Sequence, residues 1–292
     1  MAELHEIVDW PDAGDPSGEG PVLIVALDGW LDAGFAGAGA IAHLLEALDT
    51  TVVAEFDTEA LLDFRARRPV AHLVEGVNQG LTWPILELRH GRDLDGRSVL
   101  LLHGAEPDVR WREFVDEVCS LALQLGTRLV VIMAGYPAPV PHTRPTRLSA
   151  SASNATLIDA VGGNRATVDV ASGVTSVLEH RFGELSVDAI TLWAQVPHYA
   201  AAMPSPPSSL ALLEQVERLA GVRLDTDRFA TAAAELRARL DDLVGANPDH
   251  RAQVGQLETQ YDEEARENAA QQSAGNLADE VERFLREVGG EA

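Results

Sequence analysis

The chain has 292 residues, enough for a large core and for one domain with an appendage. It carries 46 acidic side chains against 22 basic ones, a formal net charge of -24, which repels phosphate backbones and anionic lipid and weighs against nucleic acid or membrane surfaces as partners. Lysine is absent, so a Walker A lysine, a pyridoxal Schiff base and a kinase-type phosphate lysine are all excluded. The single cysteine, Cys119, excludes an intrachain disulfide, a CxxC redox pair and a cysteine-ligated zinc site.

The opening residues are acidic and lack the apolar region of a secretory signal, and the apolar runs are too short to span a bilayer. The expectation is a soluble, cytoplasmic protein. In chain order, Leu4 to Trp10 predicts a leader strand, followed by a turn-rich loop with Pro11, Gly14, Pro16, Gly18 and Gly20. Residues 22–27 form an unbroken apolar run, as in a strand buried on both faces of a parallel sheet. Ile41, Leu44, Leu45 and Leu48 have helical spacing over about 36–48, and residues 51–56 return as a strand. That is a βαβ pattern, which normally makes a parallel right-handed crossover.

Residues 84–89 alternate weakly and predict another strand, and residues 98–103 a clearer one. Asp108 is the predicted N-cap of a helix whose face carries Trp111, Phe114, Val115, Val118, Ala122 and Leu125, stopped by Gly126. Residues 128–134 predict the next strand, and the proline-rich 135–147 segment a loop. A strand near 148–152, a helix near 173–181 and a strand over 187–196 complete an α/β sheet with helices on its faces.

From Pro206 the pattern turns helical, with helices expected near 206–220, 227–244, 250–269 and 277–288. Their apolar stripes are narrow, as in a helical arm that packs on another surface. The domain expectation is an α/β core over 1–205 and a helical extension over 206–292 that packs on the core or on a partner.

Ligands of parallel α/β sheets bind beyond the carboxyl ends of the strands. The polar residues after those ends are therefore the candidate site. Asp28, Glu106 and His142 are candidate acid/base groups, and Asp32, Arg144, Arg147 and His198 candidate ligand contacts, with Arg144 as an anion clamp. The plainer reading makes Asp28 and Glu106 turn or cap residues and pairs Arg144 with one of them.

Gly37, Gly39 and Ala42 match G-x-G-x-x-A, but some ten residues too late after the strand; the glycines are expected inside the helix, allowing close packing. Cys119 is expected to be a small buried thiol. The nine histidines show no metal-ligand spacing, and G-x-S-x-G is missing, so no cofactor, metal or serine nucleophile is expected.

The same residues carry a resemblance. Residues 28–34 (Asp-Gly-Trp-Leu-Asp-Ala-Gly), Gly104 to Pro107 with Trp111 and Phe114, and Pro141 to Pro145 resemble signature blocks of the PAC2-type proteasome-assembly-chaperone family, in its bacterial and archaeal branch. Ser172 to Val174 with Leu178, Leu192 to Tyr199, and Ser205 to Pro207 continue them in family order over about 20–220. The resemblance implies a phosphorylase/hydrolase-like α/β core, a helical C-terminal extension as in actinobacterial members, and a homo-oligomer, with a trimer one expected form.

Eukaryotic relatives assist assembly of proteasome α-subunit rings and are not enzymes, so the implied role is a non-enzymatic chaperone or scaffold, with α-subunits as a candidate partner. Some archaeal relatives dock through a hydrophobic-Tyr-any tail, which Val288 to Ala292 does not match. The alternative is a small-molecule binder, or a hydrolase- or phosphorylase-like enzyme, using the strand-end rim.

Overall fold

The chain enters the fold through β1 (His5–Ile7), and the apolar run behind it becomes β2 (Val22–Asp28), its first five residues buried. A 3-10 turn leads into α1 (Ala36–Ala47), which returns to β3 (Thr51–Phe56). The short α2 (Thr58–Leu61) precedes a hairpin of β4 (Val70–Val74) and β5 (Val77–Thr82), followed by β6 (Leu86–Arg92) and β7 (Ser98–Ala105). Next come α3 (Trp111–Gln124), β8 (Leu129–Ala138), β9 (Leu148–Ala152), α4 (Ala155–Ala160), α5 (Val174–Glu184) and β10 (Asp188–Pro197). Helices α6 (Pro206–Ala220), α7 (Asp227–Gly245) and α8 (residues 248–267) follow.

This computed structural model describes residues 3–12, 18–29, 31–162 and 167–267; the helix expected near 277–288 lies outside them. Two compact units divide the chain, Met1–Ala138 with Thr146–Leu236, and Pro139–Pro145 with Arg237–Ala292.

The first unit is built on an eight-stranded sheet in the order β1-β3-β6-β7-β2-β8-β10-β9. The four middle strands, β7, β2, β8 and β10, run parallel, and the pairs outside them are antiparallel. Each face of the sheet carries its own apolar cluster. Leu100, Leu102, Val130 and Ile132 point to the face where Phe114 of α3 and Leu178 and Phe182 of α5 are buried. Leu101, Val131, Ile190 and Leu192 point to the other face, under Leu44 of α1 and Leu212 and Val216 of α6. This is the α/β class read from the sequence, because strands buried on both faces need helices on both faces.

Three local expectations are corrected. Strand β3 has the same direction as β2 but does not lie beside it: the antiparallel β6 and the parallel β7 stand between them. The crossover therefore spans two strands. Residues 135–138, read as loop, extend β8 in parallel pairing with β10, with Pro137 opposite Val196. β2 pairs with β8 only as far as Ile132, so Pro137 stands where β8 has lost that neighbour and a missing N–H leaves no ladder bond unmade.

Asp108 does not cap α3. The helix starts behind Arg110, and Asp108 instead accepts the Asp63 N–H at 2.8 Å and pairs with Arg67 at 3.5 Å.

Candidate functional site

The carboxyl ends of the parallel strands meet at one rim of the first unit. Asp28 ends β2, and Glu106 follows β7, whose last residue Ala105 lies opposite Asp28. The Glu106 N–H donates to the Asp28 carbonyl at 3.1 Å, so the two candidate carboxylates are neighbours through their backbones. The side chains separate in function. Glu106 is 8% exposed and its Oε1 accepts the Val174 N–H at 2.8 Å, closing the first turn of α5. Gly29 and Gly173 make room for it: a Cβ on Gly173 would stand 2.6 Å from Oε1, and one on Gly29 would collide with the carboxylate.

Asp28 lies nearer another polar group. Burial raises its pKa above the ordinary carboxylate range, and the nearby Arg67 and His103 only partly offset this. Arg67 donates Nη1–H to the Asp28 carbonyl at 2.6 Å. Burial holds the pKa of His103 below the usual histidine range against the pull of Glu87, whose Oε2 is 3.5 Å away and also accepts from Arg89 Nη1 at 2.7 Å. The two shifts run in opposite directions and have the same main cause, burial.

Asp32 is a cap. Its Oδ1 accepts the Gly37 N–H and its Oδ2 the Ala38 N–H, both at 2.9 Å, across the 3-10 turn that precedes α1. Burial raises its pKa and these backbone bonds work against the rise. Gly37 and Gly39 sit inside α1, and a Cβ on them would stand 2.6 Å from the Met133 carbonyl and 2.8 Å from Ser209 Oγ, respectively. They are contact glycines between α1, the sheet and α6 rather than a phosphate loop.

His142 and Arg144 belong to the second unit. His142 Nε2 is 3.2 Å from Asp241 Oδ1, and burial lowers the His142 pKa despite that partner. Arg144 forks onto Asp262, with Nε and Nη2 each at 2.9 Å, and reaches Glu258 with Nη1 at 3.1 Å. It therefore pairs with α8, not with Asp28 or Glu106, and its donors are directed to carboxylates rather than to an open anion site.

Arg147 offers its carbonyl to the Gln195 N–H at 3.0 Å, continuing the β9–β10 pairing. His198 opens the turn after β10, with Nδ1 3.4 Å from the Ala138 carbonyl and its ring edge-on to Tyr199 at 5.4 Å. Cys119 is 2% exposed, and burial pushes its thiol up to about 12.

Beside the Glu106–Val174 cap opens a cavity of about 910 Å³, within the first unit. Tyr136, Trp193, Val168, Val170 and Glu179 of α5 are among its lining residues. Glu179 Oε2 accepts from Thr191 Oγ1 at 2.5 Å and Ser151 Oγ at 2.8 Å, and burial raises its pKa. Sequence reasoning missed Glu179. Its one signal is a position next to the core-facing Leu178, on the side of α5 turned to the sheet. Among the described residues, no group of three His, Cys, Asp or Glu side chains is placed to hold a metal ion.

The model of the PAC2 family matches residues 26–244. The chain belongs to the PAC2 family. Among solved structures, this PAC2 chain is similar to a Mycobacterium tuberculosis protein of unknown function, at 36% identity over 91% of this chain and 93% of that one, with a TM-score of 0.87. A Corynebacterium glutamicum protein of unknown function matches at 31% identity over 91% and 99% of the two chains, with a TM-score of 0.85. A Mycobacterium tuberculosis proteasome-assembly chaperone homologue matches at 32% identity over 80% and 99%, with a TM-score of 0.74. No curated protein matches. The PAC2 match covers the strand-end rim and the cavity of the first unit, and it ends inside α7.

Proposed function

We propose that this PAC2 chain is a non-enzymatic, chaperone-like protein of the cytoplasm that acts as a homo-oligomer and binds another protein. The observation that carries the reading is the β4–β5 hairpin. It is a two-stranded sheet of its own, every residue of both strands is exposed, and Val70, Leu73, Val74, Val77 and Leu81 are each between 48% and 64% accessible. An isolated two-stranded ribbon is marginal in water, and apolar side chains gathered on one mark a surface made to be covered.

Family membership supports the class of activity, and the likeness to a proteasome-assembly chaperone homologue makes proteasome α-subunits the first partner to test. The division into a core over 1–205 and a helical extension over 206–292 is part of the proposal: α6 packs on the core, and the helices beyond it are the part offered to a partner. No helix among the described residues is long and apolar enough to cross a membrane.

Sedimentation velocity at micromolar concentration tests the reading. The wild type sediments as an oligomer, and Leu73→Asp with Val77→Asp shifts it to monomer while circular dichroism is unchanged. A monomeric wild type, or an oligomer indifferent to the double substitution, overturns the self-association through this hairpin. Co-sedimentation with purified α-subunits then tests the partner; failure to bind removes the proteasome from the proposal.

A further inference from the structure

We propose that the strand-end cavity of the first unit is a binding site for a small organic cation with an apolar or aromatic body, such as a primary amine. The site stands apart from the hairpin, so the failure of either proposal leaves the other in place.

The volume, about 910 Å³, is that of a cavity for a small molecule. Among the described residues its lining holds two carboxylates, Glu106 and Glu179, and no arginine or histidine. Glu106 is already committed to the Val174 N–H. Glu179 differs: its bonds come from the uncharged hydroxyls of Ser151 and Thr191, and no cationic side chain among the described residues lies within ion-pair distance of it. Thr191 is 1% exposed, so that side of the carboxylate is fixed against the sheet. His180, the next residue on α5, acts on Glu179 more weakly than burial and these hydrogen bonds, and a half-buried carboxylate hydrogen-bonded by neutral donors is stabilised further by a positive charge.

The rest of the cavity suits the body of such a ligand. Trp193 and Tyr136 stand on the same face of the sheet as Thr191, two and four residues farther along the paired strands β10 and β8, and supply aromatic faces that attract cations. Val168 and Val170, at 68% and 70% exposure, add apolar surface to the lining. Among the described lining residues an anionic ligand would meet two carboxylates and no cation, and the net charge of -24 favours cations over anions before contact is made.

Isothermal titration with 2-phenylethylamine tests the site against two ligands of the same shape, neutral 2-phenylethanol and anionic phenylacetate. The expected result is one amine per chain, bound about ten-fold more tightly than the alcohol, with no binding of the acid. Glu179→Gln keeps the hydroxyl contacts and removes the charge; it should abolish the preference for amine over alcohol. Trp193→Leu should weaken the amine several-fold, and the exposed-site control Glu235→Gln should leave it unchanged. Equal affinity for amine and alcohol, preference for the acid, an amine affinity indifferent to Glu179→Gln, or no binding of any of the three at millimolar concentration overturns the proposal.

Discussion

Glu106 Oε1 lies 2.8 Å from the Val174 nitrogen, so the carboxylate that follows one central strand closes the N-terminus of the helix leading into another. The contact joins residues 68 positions apart and is buried. It makes Glu106 a structural acid at the edge of the cavity.

Replacing Glu106 should therefore destabilise the fold. Glu106→Ala leaves the Val174 N–H without its acceptor and should cost about 1–3 kcal/mol, whereas Glu106→Gln, whose amide oxygen still accepts, should cost less. Urea unfolding of the two variants measures this. Equal, near-zero losses would show that the cap contributes nothing.

The Arg144 fork ties the 139–145 segment to α8 inside the second unit. Arg144→Ala should speed hydrogen exchange along residues 250–262 and leave β8 and β10 unchanged. Because the pair is partly open to solvent, high salt should reproduce part of the effect in the wild type. Unaltered exchange in α8 would contradict the tie.

Cys119 should be inert in the folded protein. With its thiol pushed up to about 12 and its side chain buried on α3, it carries almost no thiolate at pH 8. Ellman's reagent should react with it only at the rate of unfolding, and fully in denaturant. Rapid labelling of the native protein would refute the burial.

Acid should weaken the fold through buried histidines. His90, His103 and His142 all have pKa values lowered by burial, so the unfolded chain binds their protons more readily than the native one. Their contribution is complete above the unfolded value of about 6.5 and is lost as pH falls from there through the lower folded values. The raised carboxylates Asp28, Asp32 and Glu179 act in the opposite sense. Their contribution is complete below about pH 4, the unfolded carboxylate range, and is lost as pH rises through the higher folded values. Urea midpoints from pH 7 to pH 5 isolate one histidine: His103→Gln should lose less stability over this range than the wild type. Parallel profiles would exclude His103 from the effect.

Much of this architecture was legible in one dimension. The apolar run at 22–27 and the three- and four-residue spacing along α3 are local patterns, and strand and helix follow from them directly. The hairpin at 70–82 was not read, because its apolar residues stay exposed and four of the six residues of its β5 strand are Asn, Gln, Gly and Thr. Asp28 and Glu106 were read as residues that follow strand ends, but nothing in their spacing says that those strands are neighbours, or that one carboxylate caps a helix while the other lies near a histidine.

By itself, then, the sequence determined the class of fold, most of the strands and helices of its sheet layers, the buried thiol and the excluded lysine chemistries, since each depends on residue type or short-range periodicity. Only the tertiary structure decided that β6 and β7 separate β3 from β2, that Arg144 answers Asp262 across 118 positions, and that Glu179 lines a cavity with Trp193. Strand order and side-chain partners are set by which apolar faces can be buried together, and that selection acts between segments distant in the chain.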